Sequence, residues 1–405
     1  MKKNTIPIIN GEIYEDLKVS YTGGSVDVYK SFGNNIKGYD VNSLYPSMML
    51  EKDIPVGNPV QFEGDISKFE SNPFGFFEVE VEAPTNINIP ILQTRYKKDN
   101  VYNTVAPVGS WIGTYFSEEL KYAQELGYHF KILRGYLFKK ENLFKEFISD
   151  LSTLKENSDK DSANYTIFKL LMNSLYGRFG MNPIMETCLV LNPDETLMYQ
   201  DDDNYIVTNV IELENSTELV SFFNVDEKLN PQKKINVSVG IASAITSYSR
   251  IHMSKLKMML GDNLFYSDTD SLYTGIDIDN KYIHSKKLGK LKLERIFDKA
   301  IFLAPKMYGG RINNKENFIQ NKDYIKIKGL KNPIKFNEMF KLLFKNKIIN
   351  IKQEKWFRDI KQSTIKIDKK TKHTLKLTSN KRKIIYDKNK FVYTKPLILD
   401  KFNYD

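Results

Sequence analysis

From Ile36 to Tyr39 apolar and polar residues alternate, a period of two that predicts a strand running into Asp40. Ser43 to Leu50 then takes up helical spacing, and the Tyr21-Thr-Gly-Gly24 segment upstream reads as a loop. Residues 52–110 are rich in Pro and Gly and hold a strand pattern, Phe76-Phe-Glu-Val-Glu-Val81. Apolar positions recurring every three or four residues predict helices over 117–127, 141–157, 162–177 and about 237–260. Before the last of these, Asn204 to Val210 reads as a strand. Asn263-Leu-Phe-Tyr-Ser-Asp-Thr-Asp-Ser-Leu-Tyr273 places two apolar runs around a polar centre, which predicts strand, turn, strand. There is no repeat at solenoid periods, and no run approaches the ~18 apolar residues of a membrane span. The mixture is α+β.

Composition narrows the class. With 41% hydrophobic and 27% charged residues among 405, the chain is globular rather than disordered. A single cysteine, Cys188, excludes an internal disulfide, and four scattered histidines give no zinc spacing. The first residues, Met1 to Leu17, lack an apolar signal core, and their acids argue against a cleaved transit peptide. The net charge of +10 is unevenly spread. Asn321 to Asp405 carries 24 Lys and Arg against 8 Asp and Glu, whereas Glu186 to Asn230 carries eleven acids and one base, Lys228. A basic block behind an acidic body predicts a surface for polyanions, nucleic acid foremost.

Three short segments carry candidate chemistry. Asp40 ends a strand, and Asp268 and Asp270 share a turn. Aspartates two apart on an extended chain face one side, with Thr269 pointing away. Beside Asp40 they would form a cluster of hard oxygen ligands for two Mg²⁺ ions, with Mn²⁺ as a substitute. In Lys169-Leu-Leu-Met-Asn-Ser-Leu-Tyr-Gly177, Lys169, Asn173 and Tyr176 fall on one helical face, a cation, an amide and an aromatic suited to a nucleotide. Leu170, Leu171 and Leu175 are expected to anchor the opposite face. In Asp40-Val-Asn-Ser-Leu-Tyr-Pro46, Pro46 is expected to open a helix, leaving the N–H groups of Ser43 and Leu44 free to cradle phosphate, with Tyr45 under a sugar ring.

In this order, DVNSLYP, KLLMNSLYG and YSDTDS resemble motifs A, B and C of the family B DNA polymerases. Lys306-Met-Tyr308 resembles the family's KxY motif, Lys326-Ile-Lys-Gly329 the basic strand after it, and Tyr21-Thr-Gly-Gly24 the YxGG loop of the protein-primed branch. Pro107 to Leu120 and the Arg-containing helix Ile241 to Ile251 also look typical of that branch, which includes polymerases of linear mitochondrial plasmids and phages. The resemblance covers essentially the whole chain.

The resemblance implies a right-hand fold: palm at 1–51 and 236–335, fingers at 141–180, a basic thumb at 336–405, and insertions at 52–140 and 181–235. The acidity of 186–230 sits awkwardly with an element that encloses DNA. It implies transfer of a dNMP from a dNTP to a primer 3′-hydroxyl, or to a hydroxyl of a terminal priming protein, with release of pyrophosphate. Asp40 and Asp270 would bridge the metals, with Val41 as a carbonyl ligand and Asp268 as an auxiliary. Lys169 would neutralise the leaving phosphates, Tyr45 would gate against a 2′-hydroxyl, and Asn173, Tyr176, Ser43 and Leu44 would bind nucleotide. Tyr21, Gly23, Gly24, Lys306, Tyr308, Lys326 and Lys328 would contact primer and template. A monomer without membrane contact, working in a mitochondrion or alternatively a phage-infected or host cytoplasm, is the corresponding expectation. Fewer than 40 residues precede Asp40, too few for the family's 3′–5′ exonuclease domain, so proofreading is expected to be absent. Reverse transcriptases and viral RNA polymerases typically show adjacent acids where this chain has Asp-Thr-Asp. An inactive remnant that only binds DNA is the non-enzymatic alternative.

Overall fold

A computed structural model describes residues 6–7, 9, 11–182, 186–213, 215–225, 237–314, 319–330, 334–359, 364–379 and 381–400. The strand expected before Asp40 is the middle of its largest sheet. That sheet has seven antiparallel strands, in the order β1 (Val26–Val28), β12 (Leu264–Asp268), β13 (Ser271–Thr274), β2 (Phe32–Val41), β14 (Leu291–Ala304), β15 (Met307–Asn314) and β16 (Ile319–Ile327). Alternation in β2 buries Ile36, Tyr39 and Val41 and leaves Asp40 half-buried.

One face of the sheet is covered by helices α1 (Gly11–Ser20), α2 (Leu44–Glu51), α4 (Lys145–Glu156), α5 (Ala163–Phe179) and the long α7 (Val239–Leu260). The first two thirds of α7 are buried and rich in Gly, Ala and Ser, so neighbouring elements approach its backbone closely. Two of its hydroxyls are satisfied within the helix, Thr246 donating to Ser243 O at 3.0 Å and Ser249 to Ile245 O at 2.8 Å. The other face packs on α8 (Phe336–Leu342), with Phe336, Met339, Leu342 and Phe391 buried.

Residues 52–141 build a second sheet from β3 (Ile54–Glu63), β8 (His129–Glu141), β4 (Gly75–Ala83) and β7 (Val108–Phe116), with α3 (Ser117–Glu125) against it. The chain returns far downstream to add β21 (Ile398–Leu399), parallel to β7 at Val108 and Gly109. The β5 (Thr94–Lys98) and β6 (Val101–Val105) hairpin turns on Asp99 and Asn100, both at positive φ. The acidic segment forms β9 (Thr187–Leu191), β10 (Tyr205–Glu212) and β11 (Glu218–Asn224), with α6 (Pro193–Asp201) packing Tyr199 on Tyr205 and Phe222. Asp226, Glu227 and Lys228 lie outside the described residues. The basic block forms a long hairpin, β17 (Ile348–Asp359) and β18 (Thr364–Lys376), and a short one, β19 (Lys383–Asp387) and β20 (Lys390–Lys395).

Two helical expectations are corrected. Leu170 and Leu171 face solvent, at 64% and 46% exposure, and the packed face of α5 is Phe168, Met172, Leu175, Tyr176 and Phe179. Burial of the larger aromatic and Met side chains takes precedence over the leucines. Pro46 stands third in α2, not first: the helix starts at Leu44, with Ser43 in the left-handed region before it.

Candidate active site

Asp40 sits opposite Ser271 of β13 on one side and Lys292 of β14 on the other. The β12–β13 hairpin turns on two residues, Thr269 and Asp270, between the paired Asp268 and Ser271. Thr269 has φ of 55°, a left-handed conformation that a β-branched residue rarely adopts. Such strain costs ~1–3 kcal/mol and persists only where the surroundings impose it. They do so here. The Thr269 N–H donates to Ser25 O at 3.0 Å and the Asp270 N–H reaches back to Asp268 O at 2.7 Å. Gly24 lies so close that a Cβ on it would stand 3.0 Å from the Thr269 Cα.

Because the segment is a turn and not an extended chain, its two aspartates diverge. Asp270 lines a cavity beside Asp40, and its carbonyl accepts the Val41 N–H at 2.8 Å. Asp268 instead accepts from Lys306 Nζ at 2.7 and 3.0 Å and from the Tyr266 hydroxyl at 3.2 Å. The expected three-carboxylate cluster is therefore a pair, with the third member neutralised. Among the described residues, no group of three or more His, Cys, Asp or Glu is placed to hold a metal.

Burial pushes the Asp40 carboxyl up to about 7, with Asp270 and Glu294 adding to the rise and Arg295 and Lys292 opposing it. Burial likewise raises Asp270, against its backbone hydrogen bond. Carboxylates held above their ordinary range by desolvation and like charge favour a nearby cation. Mg²⁺ is held by one or two carboxylates together with substrate phosphates, not by a full protein cage. The Asp40–Asp270 pair, with Val41 beside it in the lining, fits that ion.

The cavity measures about 770 Å³, within the range of ligand sites. Lys169, Asn173 and Tyr176 of α5 all reach it, as their shared helical face predicts, and so do Ser43, Leu44 and Tyr45. Tyr45 stacks on Tyr176 with ring centroids 4.1 Å apart and planes at 29°. Burial raises the pKa of Tyr45, reinforced by Tyr176.

Sequence reasoning passed over much of the lining. Lys155 and Lys160 add cations from the end of α4 and the connection to α5, while Lys286 comes from the loop before β14 and Lys292 and Glu294 from β14 itself. Burial lowers the Lys155 pKa; Glu156 opposes this and the charge of Lys169 adds to it, which marks a wall suited to anions. Asn42 donates to His284 O at 2.7 Å and Lys287 O at 3.3 Å, fixing the loop that carries Ser285 and Lys286. The Lys-rich run Lys286 to Lys292 was the available signal.

Arg250 of α7 was seen only as part of a typical helix. It makes a bidentate pair with Glu119 of α3, both contacts at 2.6 Å and both side chains almost fully buried, and donates to Thr22 O at 2.6 Å and Gly23 O at 3.4 Å. The Tyr21 ring fills the space at Gly180, where a Cβ would stand 2.6 Å away. The Tyr21–Gly24 loop is thus clasped between α5 and the aspartate turn, with Gly23 exposed. Tyr308 is buried among Tyr266, Tyr273 and Tyr324, its hydroxyl accepting from Tyr273 at 3.1 Å. Its ring supports the sheet under Asp268 and offers little surface to a ligand. Lys326 and Lys328 are exposed at the end of β16.

Known proteins resemble this chain in sequence and in fold. Residues 1–259 match the family model described as DNA polymerase type B, organellar and viral. The chain is similar to a probable DNA polymerase of Ascobolus immersus, 39% identical over 99% of this chain and 33% of that protein. A probable DNA polymerase of Neurospora intermedia is 38% identical over 90% of this chain and 38% of its own length. The chain thus spans between about a third and two fifths of the length of these relatives. Its fold is similar to that of Phi29 DNA polymerase complexed with primer-template DNA and incoming nucleotide, with a TM-score of 0.68, 23% identity, and coverage of 93% of this chain and 64% of that one.

Proposed function

The chain belongs to the organellar and viral type B DNA polymerases, and from that premise we propose that it adds deoxynucleotides to a primer 3′-hydroxyl under the direction of a template, releasing pyrophosphate. One observation carries the reading. A single cavity sets the Asp40–Asp270 pair on the sheet against Lys155, Lys160 and Lys169 on the helices, with the Tyr45–Tyr176 stack also in its lining. A metal-bound triphosphate with a sugar and base needs those three surfaces.

Asp40 and Asp270 would hold two Mg²⁺ ions, or Mn²⁺, with the substrate phosphates; when bound, the ions supply Lewis acidity to the attacking hydroxyl and the leaving group. The lysines bind the triphosphate and stabilise negative charge as it accumulates on the departing pyrophosphate. Tyr176 stacks on the nascent base pair, and Tyr45 closes the space beside the sugar. Lys306 acts through Asp268, holding the turn that presents Asp270. The Leu44 and Tyr45 N–H groups, at the start of α2, donate to no protein partner among the described residues and can meet a phosphate. For the first nucleotide a priming protein's hydroxyl replaces the 3′-hydroxyl, as suits replication of a linear element in an organelle. Primer extension by the purified chain with Mg²⁺ and dNTPs tests the proposal; template binding without any incorporation would leave only the DNA-binding reading.

The long hairpin supplies the electrostatic grip. Lys352, Lys355, Arg358, Lys366, Lys369, Lys370 and Lys372 lie along β17 and β18, and Trp356 is 57% exposed between them. Each phosphate neutralised contributes about −0.9 to the salt slope of binding. Removing the whole block would strip the core residues of α8, so point changes are the cleaner test. Replacing Lys355, Lys366 and Lys372 together by Gln is expected to flatten the slope by up to about 3, read by fluorescence anisotropy of a labelled duplex across salt concentrations. An unchanged slope would move the DNA footprint off the hairpin.

A further inference from the structure

The strained turn at Thr269 depends on the segment Gly24–Ser25, and that segment is itself held from behind. Thr269 donates to Ser25 O, and Gly24 contacts its Cα. The strand that follows, β1, has only three residues and lies at the end of the sheet, paired with β12 alone. Three residues at an edge are a weak hold for a segment that must impose an unfavourable conformation on its neighbour.

Two cations of α7, two turns apart on one face, supply the missing hold. Arg250 binds the carbonyls of Thr22 and Gly23. Lys257, 5% exposed, donates its Nζ to the Ser25 hydroxyl. A lysine at this depth is costly unless something requires it. Burial lowers its pKa to about 8, with Asp27 opposing the shift and Arg382 adding to it.

We propose that Lys257 is a positioning residue for catalysis, acting through Ser25 to fix the Asp268–Asp270 turn and so the placement of Asp270 against Asp40. The chain of contacts is continuous: Lys257 to the Ser25 hydroxyl, the Ser25 carbonyl to Thr269, and Thr269 to the aspartates on either side. Lys257 does not line the cavity and touches neither nucleotide-binding wall. Its influence therefore falls on the chemical step and not on nucleotide binding. The inference rests on the reading of Asp40 and Asp270 as the reacting pair.

The test is single-turnover incorporation by wild type, Lys257→Met, Ser25→Ala and the double variant, with a melting temperature for each. Met matches the length of the lysine stem, and the melting temperature reports any cost of leaving Asp27 without the lysine's charge. Lys257→Met is expected to lower the maximal rate about 10- to 100-fold, the scale of a small misplacement at a reacting centre. The KM for dNTP and the duplex Kd should stay within about twofold of wild type. Ser25→Ala should lower the rate in the same direction, and the double variant should be no slower than Lys257→Met alone, since both act on one path. Rates that multiply, a rise in KM at unchanged maximal rate, or full activity in Ser25→Ala would each overturn the proposal. Ser25→Ala decides the matter even if Lys257→Met does not fold. Wild type that incorporates nothing would instead refute the polymerase reading itself. Active wild type with inactive Asp270→Asn and fully active Lys257→Met would refute this inference alone.

Discussion

Replacing Asp270 by Asn is expected to lower nucleotide incorporation by about 10²–10³-fold, the cost of removing one preorganised charge from a water-poor site. Duplex affinity should hardly change, because Asp270 lies in the cavity and not on the basic hairpin. Stability should hold or rise. Burial raises the Asp270 pKa, so the native fold disfavours the ionised form, and a neutral Asn removes that burden at neutral pH. A rate loss without a lower melting temperature would separate lost chemistry from unfolding. Asp268→Asn should be milder, since that side chain answers Lys306 and not the cavity. Primer extension by Asp270→Asn at a tenth of wild type or more would remove Asp270 from the reacting pair.

Tyr45→Val should raise the use of ribonucleotides relative to deoxyribonucleotides by roughly 5- to 150-fold, the equivalent of ~1–3 kcal/mol of overpacking relieved beside the sugar. Its ring is held at a fixed position by the 4.1 Å stack on Tyr176, so it cannot swing aside for an added oxygen. Losing the stack also frees Tyr176, and the affinity for both nucleotide types should fall together. Tyr45→Phe keeps the ring and should leave the ratio nearly unchanged. The ratio of kcat/KM for dGTP and rGTP is the measurement. If Tyr45 were only a core aromatic, both values would drop in step, and an unchanged ratio in Tyr45→Val would end its role as a gate.

Local pattern carried the strand into Asp40, the helices 145–156, 163–179 and 239–260, and the hairpin at 264–274. It failed where a distant partner decides the outcome. Alternation treats Asp268 and Asp270 as neighbours on one face, but the turn separates them and Lys306, 38 residues from Asp268, takes the first. Of the leucines expected to anchor α5, Leu175 packs against the core but Leu170 and Leu171 face solvent, since amphipathic spacing alone does not rank side chains by the neighbours they meet. Lys155, Lys160, Lys292 and Glu294 escape sequence reasoning because a cavity wall assembled from separate helices, strands and loops has no sequence period. The Arg250–Glu119 pair joins residues 131 apart, beyond the reach of any local rule.

The central place of β2 also bears on how the protein is made. Its two sheet partners, β13 and β14, begin roughly 230 and 250 residues after it ends. At ~5–20 residues per second of synthesis, the strand bearing Asp40 waits on the order of 10–50 s with both edges bare. Bare strand edges invite pairing with foreign strands. Meanwhile the sheet of β3, β4, β7 and β8 and the pair of helices α4 and α5 draw on local contacts and can form on the ribosome. These parts, all but β21, can thus form before the carboxylate pair exists. A chain interrupted near residue 260 would carry folded modules around the unpaired strand β2, so the nascent protein is most exposed to aggregation in the interval before the Asp40–Asp270 pair can assemble.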